Sequence, residues 1–253
     1  MFSITIPVPD VESAFKHLQS NICHLDWYIN NGRSNRLEYY QKLNNPLINQ
    51  MIKDRGLDSS TFKNKYFSLY RNELYNKEQY LPFIQKVQAV LPMVQSCFYE
   101  IQQLKNHWGF EILPAYQIDL VAFSVGGKYF RDKQNIGHII LGFGNQWEDK
   151  SALAHIIVHE MIHLGIEDLI INPNHLKNPP IHQEEKERIV DNLCIYVTKK
   201  HLPSLKRVWS NGTISPFQEI AQPYAYMDKI VGKQPRHNLV KSVQKFLKDQ
   251  SRV

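Results

Sequence analysis

Three histidines spaced four residues apart, His155, His159 and His163 in the stretch HIIVHEMIH, constrain this chain more than any other feature. On a helix, residues four apart lie one turn apart on a single face. The imidazoles of His159 and His163 can therefore converge on one ion, and Glu160, beside His159, can reach a water held at an open coordination position. Zinc suits such a donor set, because two imidazoles with a carboxylate and water match its preferences and no redox partner is needed. His155 sits on the same side one turn further out, which makes it a structural neighbour of the ligands or a residue of the cleft. The plain alternative for His159, Glu160 and His163 is a partly buried polar helix face satisfied by hydrogen bonds.

A catalytic zinc that keeps one position for water needs a third protein ligand. The segment HQEEKERIVDN, residues 182–192, offers the strongest one. Glu187 and Asp191 are four apart on one helical face, so Glu187 can ligate while Asp191 accepts the other ring N–H of a ligand histidine and fixes its tautomer. Glu187 follows His163 by 24 residues, enough for one helix to end and a second to return alongside. His182, Glu184 and His175 remain as other third ligands, and an acidic helix start in solvent is the competing reading of Glu184, Glu185 and Glu187.

These residues resemble the zincin metallopeptidases, and within them the gluzincins, whose pattern is an HExxH helix followed by a helix carrying ExxxD. The matching residues are His159, Glu160 and His163, then Glu187 and Asp191. The metzincin pattern HExxHxxGxxH does not fit, since Gly165 is one position early and Leu169 stands where a third histidine belongs. The resemblance spans about Ala115 to Lys200 and implies a peptidase with one catalytic zinc ion. It further implies a mixed sheet whose edge strand binds a peptide or protein substrate antiparallel, and IGHIILGF, residues 136–143, is the expected edge.

The chain has 253 residues, 43% of them hydrophobic, enough for a sizeable core. Thirty Lys and Arg against 24 Asp and Glu leave a formal charge of +6, but the basic residues are scattered and form no stripe for phosphates. No nucleic-acid partner is expected. Cys23, Cys97 and Cys194 are odd in number and far apart, which fits neither a disulfide framework nor a CxxC knuckle. The N-terminal MFSITIPVPDVESAFKH lacks the pattern of a secretory signal, and no apolar run approaches the roughly 18 residues of a membrane helix. The expectation is a cytoplasmic protein without a membrane segment, with export by a non-classical route left open. Asn211, Gly212 and Thr213 match a glycosylation sequon, which carries little without a signal peptide.

Up to about Trp108 the apolar residues recur with helical period, notably over 11–18, 36–52 and 62–74, and Pro82 and Pro92 should kink or split the long amphipathic segment 77–106. After Pro114 the pattern becomes strand-like, with Gly126 and Gly127 as a turn between two strands and a third strand over 136–143. His138 on that strand is read as a strand residue that could lie near the cleft. The motif helix should be capped by Asn145 with Glu148 and Asp149 in its first turn, and should stop at Gly165. Pro180 should open the ligand helix, which runs to about Lys200. Ser215 to Gln218 should start another helix, and a basic one should cover about 238–248. Oxyanion donors would come from Tyr224, Tyr226, His201 or His237.

The expected fold is α+β: a mainly helical N-terminal region over 1–110, then a zincin-like catalytic domain over 111–253, with a small mixed sheet, the HExxH helix and the third-ligand helix. The expected function is peptide-bond hydrolysis with Glu160 as general base. Two rivals are a non-catalytic protein in which metal ties helices together for partner binding, and a metal-dependent hydrolase of a non-peptide amide.

Overall fold

A computed structural model describes residues 2–30, 35–108, 110–124, 127–143, 150–170, 183–198 and 200–202. The expected features at Asn145, Glu148, Asp149, His175, Pro180, His182, Ser215, Tyr224, Tyr226, His237 and 238–248 lie outside them, as does the Glu184 side chain. Among the described residues the fold is mixed α and β, mainly helical, with one four-stranded sheet. No helix among them is long and apolar enough to cross a membrane.

The N-terminal helices form where sequence supplies caps. Helix α1 (Val11–Cys23) begins at Asp10, whose carboxylate accepts from the Ser13 N–H at 2.7 Å, and its buried Ala14, Phe15, Leu18 and Ile22 trace one helical face. A short α2 (Leu25–Asn30) follows. The apolar run over 36–52 is two helices, α3 (Asn35–Lys42) and α4 (Pro46–Lys53). Asn44 in the left-handed region (φ 48°), Asn45 as N-cap and Pro46 at the first helical position make the break. Asp58 caps α5 (Ser59–Leu69), which passes into a π turn at Tyr70–Leu74 and, further on, a 3-10 turn at Lys77–Tyr80.

Helix α6 (Leu81–Trp108) is one continuous element of 28 residues, so the expected split at the prolines does not occur. Pro82 lies in the first turn, where its missing N–H has no intrahelical partner to lose. Pro92 deprives the Gln88 carbonyl of a donor, but both residues are exposed and water can substitute. The buried line Ile84, Val87, Val90, Val94, Cys97 and Ile101 passes Pro92 without interruption.

The sheet departs from expectation in its order. Strands β1 (Ser3–Thr5), β2 (Ala115–Val121), β3 (Gly127–Arg131) and β4 (Ile136–Gly142) lie in the order β1-β2-β4-β3. β1, β2 and β4 run parallel to one another, and β3 is antiparallel to β4. Residues 136–143 are therefore an interior strand and not the edge. The strands on either side of the turn expected at Gly126 and Gly127 do not pair, because β4 sits between β2 and β3; Gly127 opens β3, and Gly126 lies outside the described residues. The hairpin is β3–β4, closed by Asp132, whose Oδ1 accepts from Gln134 N–H at 2.9 Å and Ile136 N–H at 2.8 Å, with Asn135 at φ 66°. β1 was not anticipated in a helical N-terminal region; it extends the sheet from the first residues of the chain.

Helix α7 (Lys150–Ile170) crosses one face of the sheet and packs against α6, β3 and α8 (Gln183–Thr198). Its buried Leu153, Ala154, Ile157, Val158, Met161, Ile162, Leu164 and Ile166 surround the helix axis, as expected of a helix enclosed on several sides. α7 does not stop at Gly165. A Cβ there would stand 2.1 Å from the Phe110 ring and 2.7 Å from the Glu111 carbonyl oxygen, and the Gly165 carbonyl accepts from Glu111 N–H at 3.1 Å. The glycine serves close packing of the approach to β2, not termination. One apolar core runs from Ala14 to Leu202, shared by residues on both sides of position 110.

Candidate metal centre

α7 carries His159, Glu160 and His163 into this core, and α8 brings Glu187 and Asp191 against them. His163 is 1% exposed and Glu160 7%, on a helix whose other buried positions are almost all apolar. Burying such groups is costly unless they are paired, so their surroundings decide what they are for.

His163 Nε2 lies 3.0 Å from His159 Nε2 and 3.2 Å from Glu187 Oε2, and His159 Nε2 lies 3.6 Å from that same oxygen. Three donor atoms from two helices thus point at one spot. Zinc bonds of about 2.0–2.2 Å in a tetrahedron put neighbouring ligand atoms roughly 3.3 Å apart. The three separations bracket that value, so the donor set fits zinc in both chemistry and spacing. Among the described residues, His159, His163 and Glu187 form the one group of three or more His, Cys, Asp or Glu with convergent ligand atoms.

For Nε2 to donate a lone pair, the ring proton must sit on Nδ1. His159 Nδ1 is 3.4 Å from Asp191 Oδ1, an acceptor placed for that proton. His163 is held differently. The ring of Tyr129, from β3, stacks on it with centroids 4.5 Å apart and planes 12° from parallel. His159 meets His163 edge-on, at 4.7 Å and 74°.

The charges respond to this crowding. Burial pulls the His159 pKa down, but the hydrogen bond to Glu187 and the charges of Glu160 and Asp191 outweigh it, and the net shift is upward. Burial would raise Glu187, yet its hydrogen bonds to His159 and His163 hold the carboxyl well below the usual carboxylate range. Asp191 is pushed up to about 6, mainly by burial, with His159 opposing and the Glu187 charge adding.

Glu160 packs under the start of β3. A Cβ on Gly127 would stand 2.2 Å from Glu160 Oε1, so this strand approaches the carboxylate as closely as only glycine permits. Gly127 and Tyr129, two apart on the strand, both face α7. Gly127 was read only as part of a turn, and Tyr129 was not singled out in the sequence. The alternation in GKY is visible there, but its significance depends on β3 being the strand over the helix.

The other expected residues among those described, His155, His201 and His138, have partners outside this group. His155 lies against α8, with Nδ1 3.3 Å from Thr198 Oγ1 and 3.5 Å from Cys194 Sγ, as suits a structural neighbour. Burial pushes the Cys194 thiol well above its ordinary pKa, which keeps it protonated and inert. His201 Nε2 is 3.6 Å from Glu100 Oε1 on α6, beside Lys200 Nζ at 3.2 Å from the same oxygen. His138 is on the opposite face of the sheet. Its neighbour Gly137 faces Leu164 of α7, so alternation turns His138 away from the centre. There Nδ1 is 2.7 Å from Asp119 Oδ2, Nε2 is 3.4 Å from Asp132 Oδ2, and Phe130 stacks on the ring.

No protein-family model, curated protein or solved structure matches this chain, and the geometry of its own residues is what speaks for the metal centre.

Proposed function

We propose that this protein is a zinc-dependent peptidase with a zincin-like core, in which His159, His163 and Glu187 hold the ion. The observation that carries the proposal is the convergence of His159 Nε2, His163 Nε2 and Glu187 Oε2 to within 3.0–3.6 Å of one another. Three protein donors leave a tetrahedral ion one open position, the arrangement of catalytic rather than structural zinc. When bound, the ion supplies a Lewis acid that acidifies water toward pKa about 7 and polarises a carbonyl.

Each residue then has a definite task. Glu160 takes the proton of the attacking water and delivers it to the leaving nitrogen. Asp191 holds His159 in the tautomer that leaves Nε2 free to donate. The peptide lies along β3, Gly127–Arg131, which among the described residues is the antiparallel edge strand next to α7 and takes over the role expected of 136–143. Its passage against Glu160 and His163 supports an extended substrate at that edge. The small mixed sheet followed by two ligand-bearing helices also supports a zincin-like core.

Glu160→Gln tests the catalytic part. The variant should bind zinc as the wild type does and lose about 100- to 10,000-fold in kcat on a mixed peptide library. Undiminished turnover would remove Glu160 from the chemistry. Zinc binding with no cleavage of any peptide by the wild type would favour a non-catalytic centre or a non-peptide amide substrate.

A further inference from the structure

We propose that Tyr129 is a positioning residue that aims the His163 imidazole at the metal by stacking on it from the edge strand. The proposal rests on the metal-centre reading above and adds a residue outside the HExxH and ExxxD patterns. Its starting point is the softness of a histidine side chain: χ2 is a broad torsion, so a helical rotamer fixes where the ring sits but not how its plane is turned. The Nε2 lone pair lies in that plane. A ring that tilts out of plane therefore swings its donor away from the ion.

A flat contact controls this tilt. The Tyr129 and His163 planes are 12° apart with centroids 4.5 Å apart, so rotation about χ2 would drive one ring into the other. The Asp191 carboxylate supplies a comparable constraint to His159 by a different means, through Nδ1 at 3.4 Å. Each ligand histidine thus has its own orienting neighbour.

A positioning residue must itself be held, and β3 is held at both ends. On the face away from α7, Lys128 Nζ donates to Asn21 Oδ1 of α1 at 2.6 Å and lies 5.3 Å from the centroid of the Tyr28 ring of α2. At the far end Arg131 forks onto Glu111 at 2.9 and 2.7 Å, and the Glu111 N–H donates to Gly165, two residues beyond His163 on α7. Gly127 lets the strand settle directly on Glu160. Helices α1 and α2 therefore brace the strand that orients a ligand, which gives them a part in the centre without touching it.

The test compares wild type with Tyr129→Phe, Tyr129→Leu and Tyr129→Ala. Zinc affinity is measured by competition with a chromophoric chelator, the visible spectrum is recorded with cobalt in place of zinc, and His163 ring-proton shifts are read in the metal-free protein. Tyr129→Phe keeps the stacked ring and should stay within about 3-fold of wild-type affinity, with the same cobalt bands and upfield-shifted His163 protons. Tyr129→Ala should weaken zinc by about 10-fold or more, the range for lost orienting partners, and change the cobalt bands. Should the alanine variant not fold, Tyr129→Leu, which fills the space without a π face, should show the same losses. Wild-type affinity and spectrum in the leucine or alanine variant would overturn the proposal, as would equal weakening by phenylalanine, which would point to the hydroxyl. A wild-type protein that takes up no zinc would overturn the metal centre itself, an outcome distinct from either.

Discussion

The two faces of the sheet each carry histidine among carboxylates, and they arrange it in opposite ways. On the α7 side, two imidazoles turn their Nε2 atoms toward one another and toward a single Glu187 oxygen. On the other side, His138 spends both ring nitrogens, one on Asp119 and one on Asp132, so its donors point apart. Composition is similar, but function differs with direction. Ring nitrogens that converge leave room for a cation, whereas ring nitrogens that diverge toward carboxylates, where N–H donates, knit β2, β4 and the β3–β4 turn together.

Removing one histidine from each face is the sharpest way to break this comparison. His163→Ala should lower zinc affinity by roughly a thousandfold or more, since it deletes one of three donors to a site whose binding energy is large. Equilibrium dialysis with zinc buffers reads the loss directly. A smaller loss is expected from Asp191→Asn, which keeps the shape but presents a weaker, partly wrong partner to His159 Nδ1: about 10- to 100-fold in zinc affinity. His138→Ala should leave zinc stoichiometry and affinity unchanged and cost about 1–2 kcal/mol in urea unfolding, the price of two side-chain hydrogen bonds on a partly exposed face. Zinc loss in the His138 variant would show that the two faces are not independent.

The candidate ligands were legible in the sequence because the spacing within each helix is local. Spacings of four put His159 with His163 and Glu187 with Asp191 on shared faces before any fold is known, whereas the contact of the Asp191 carboxylate with His159 Nδ1 joins two helices and was expected from the HExxH and ExxxD pattern. The sheet was not legible in that way. β2 and β4 pair in parallel across the intervening β3, a non-local choice on which periodicity is silent, so the edge was expected at 136–143 and lies instead at Gly127–Arg131.

Glycine and proline misled for a related reason. At Gly165 and Pro92 the local preference to end or split a helix gave way to tertiary setting: close contact with Phe110 and Glu111 in one case, a solvent-facing position in the other. β1 is only three residues long, too short for a period-two pattern to stand out, yet it finds a partner in β2. Tyr129 escaped notice because its partner, His163, lies on an element the sequence could not place above it.

The most direct measurement is an anomalous difference map at the zinc edge from crystals of zinc-loaded wild-type protein. A single strong peak about 2.0–2.2 Å from His159 Nε2, His163 Nε2 and a Glu187 carboxylate oxygen is the predicted result. A peak bound by other residues, or none after loading that restores known zinc enzymes, would contradict the claim that this helix pair is a metal centre.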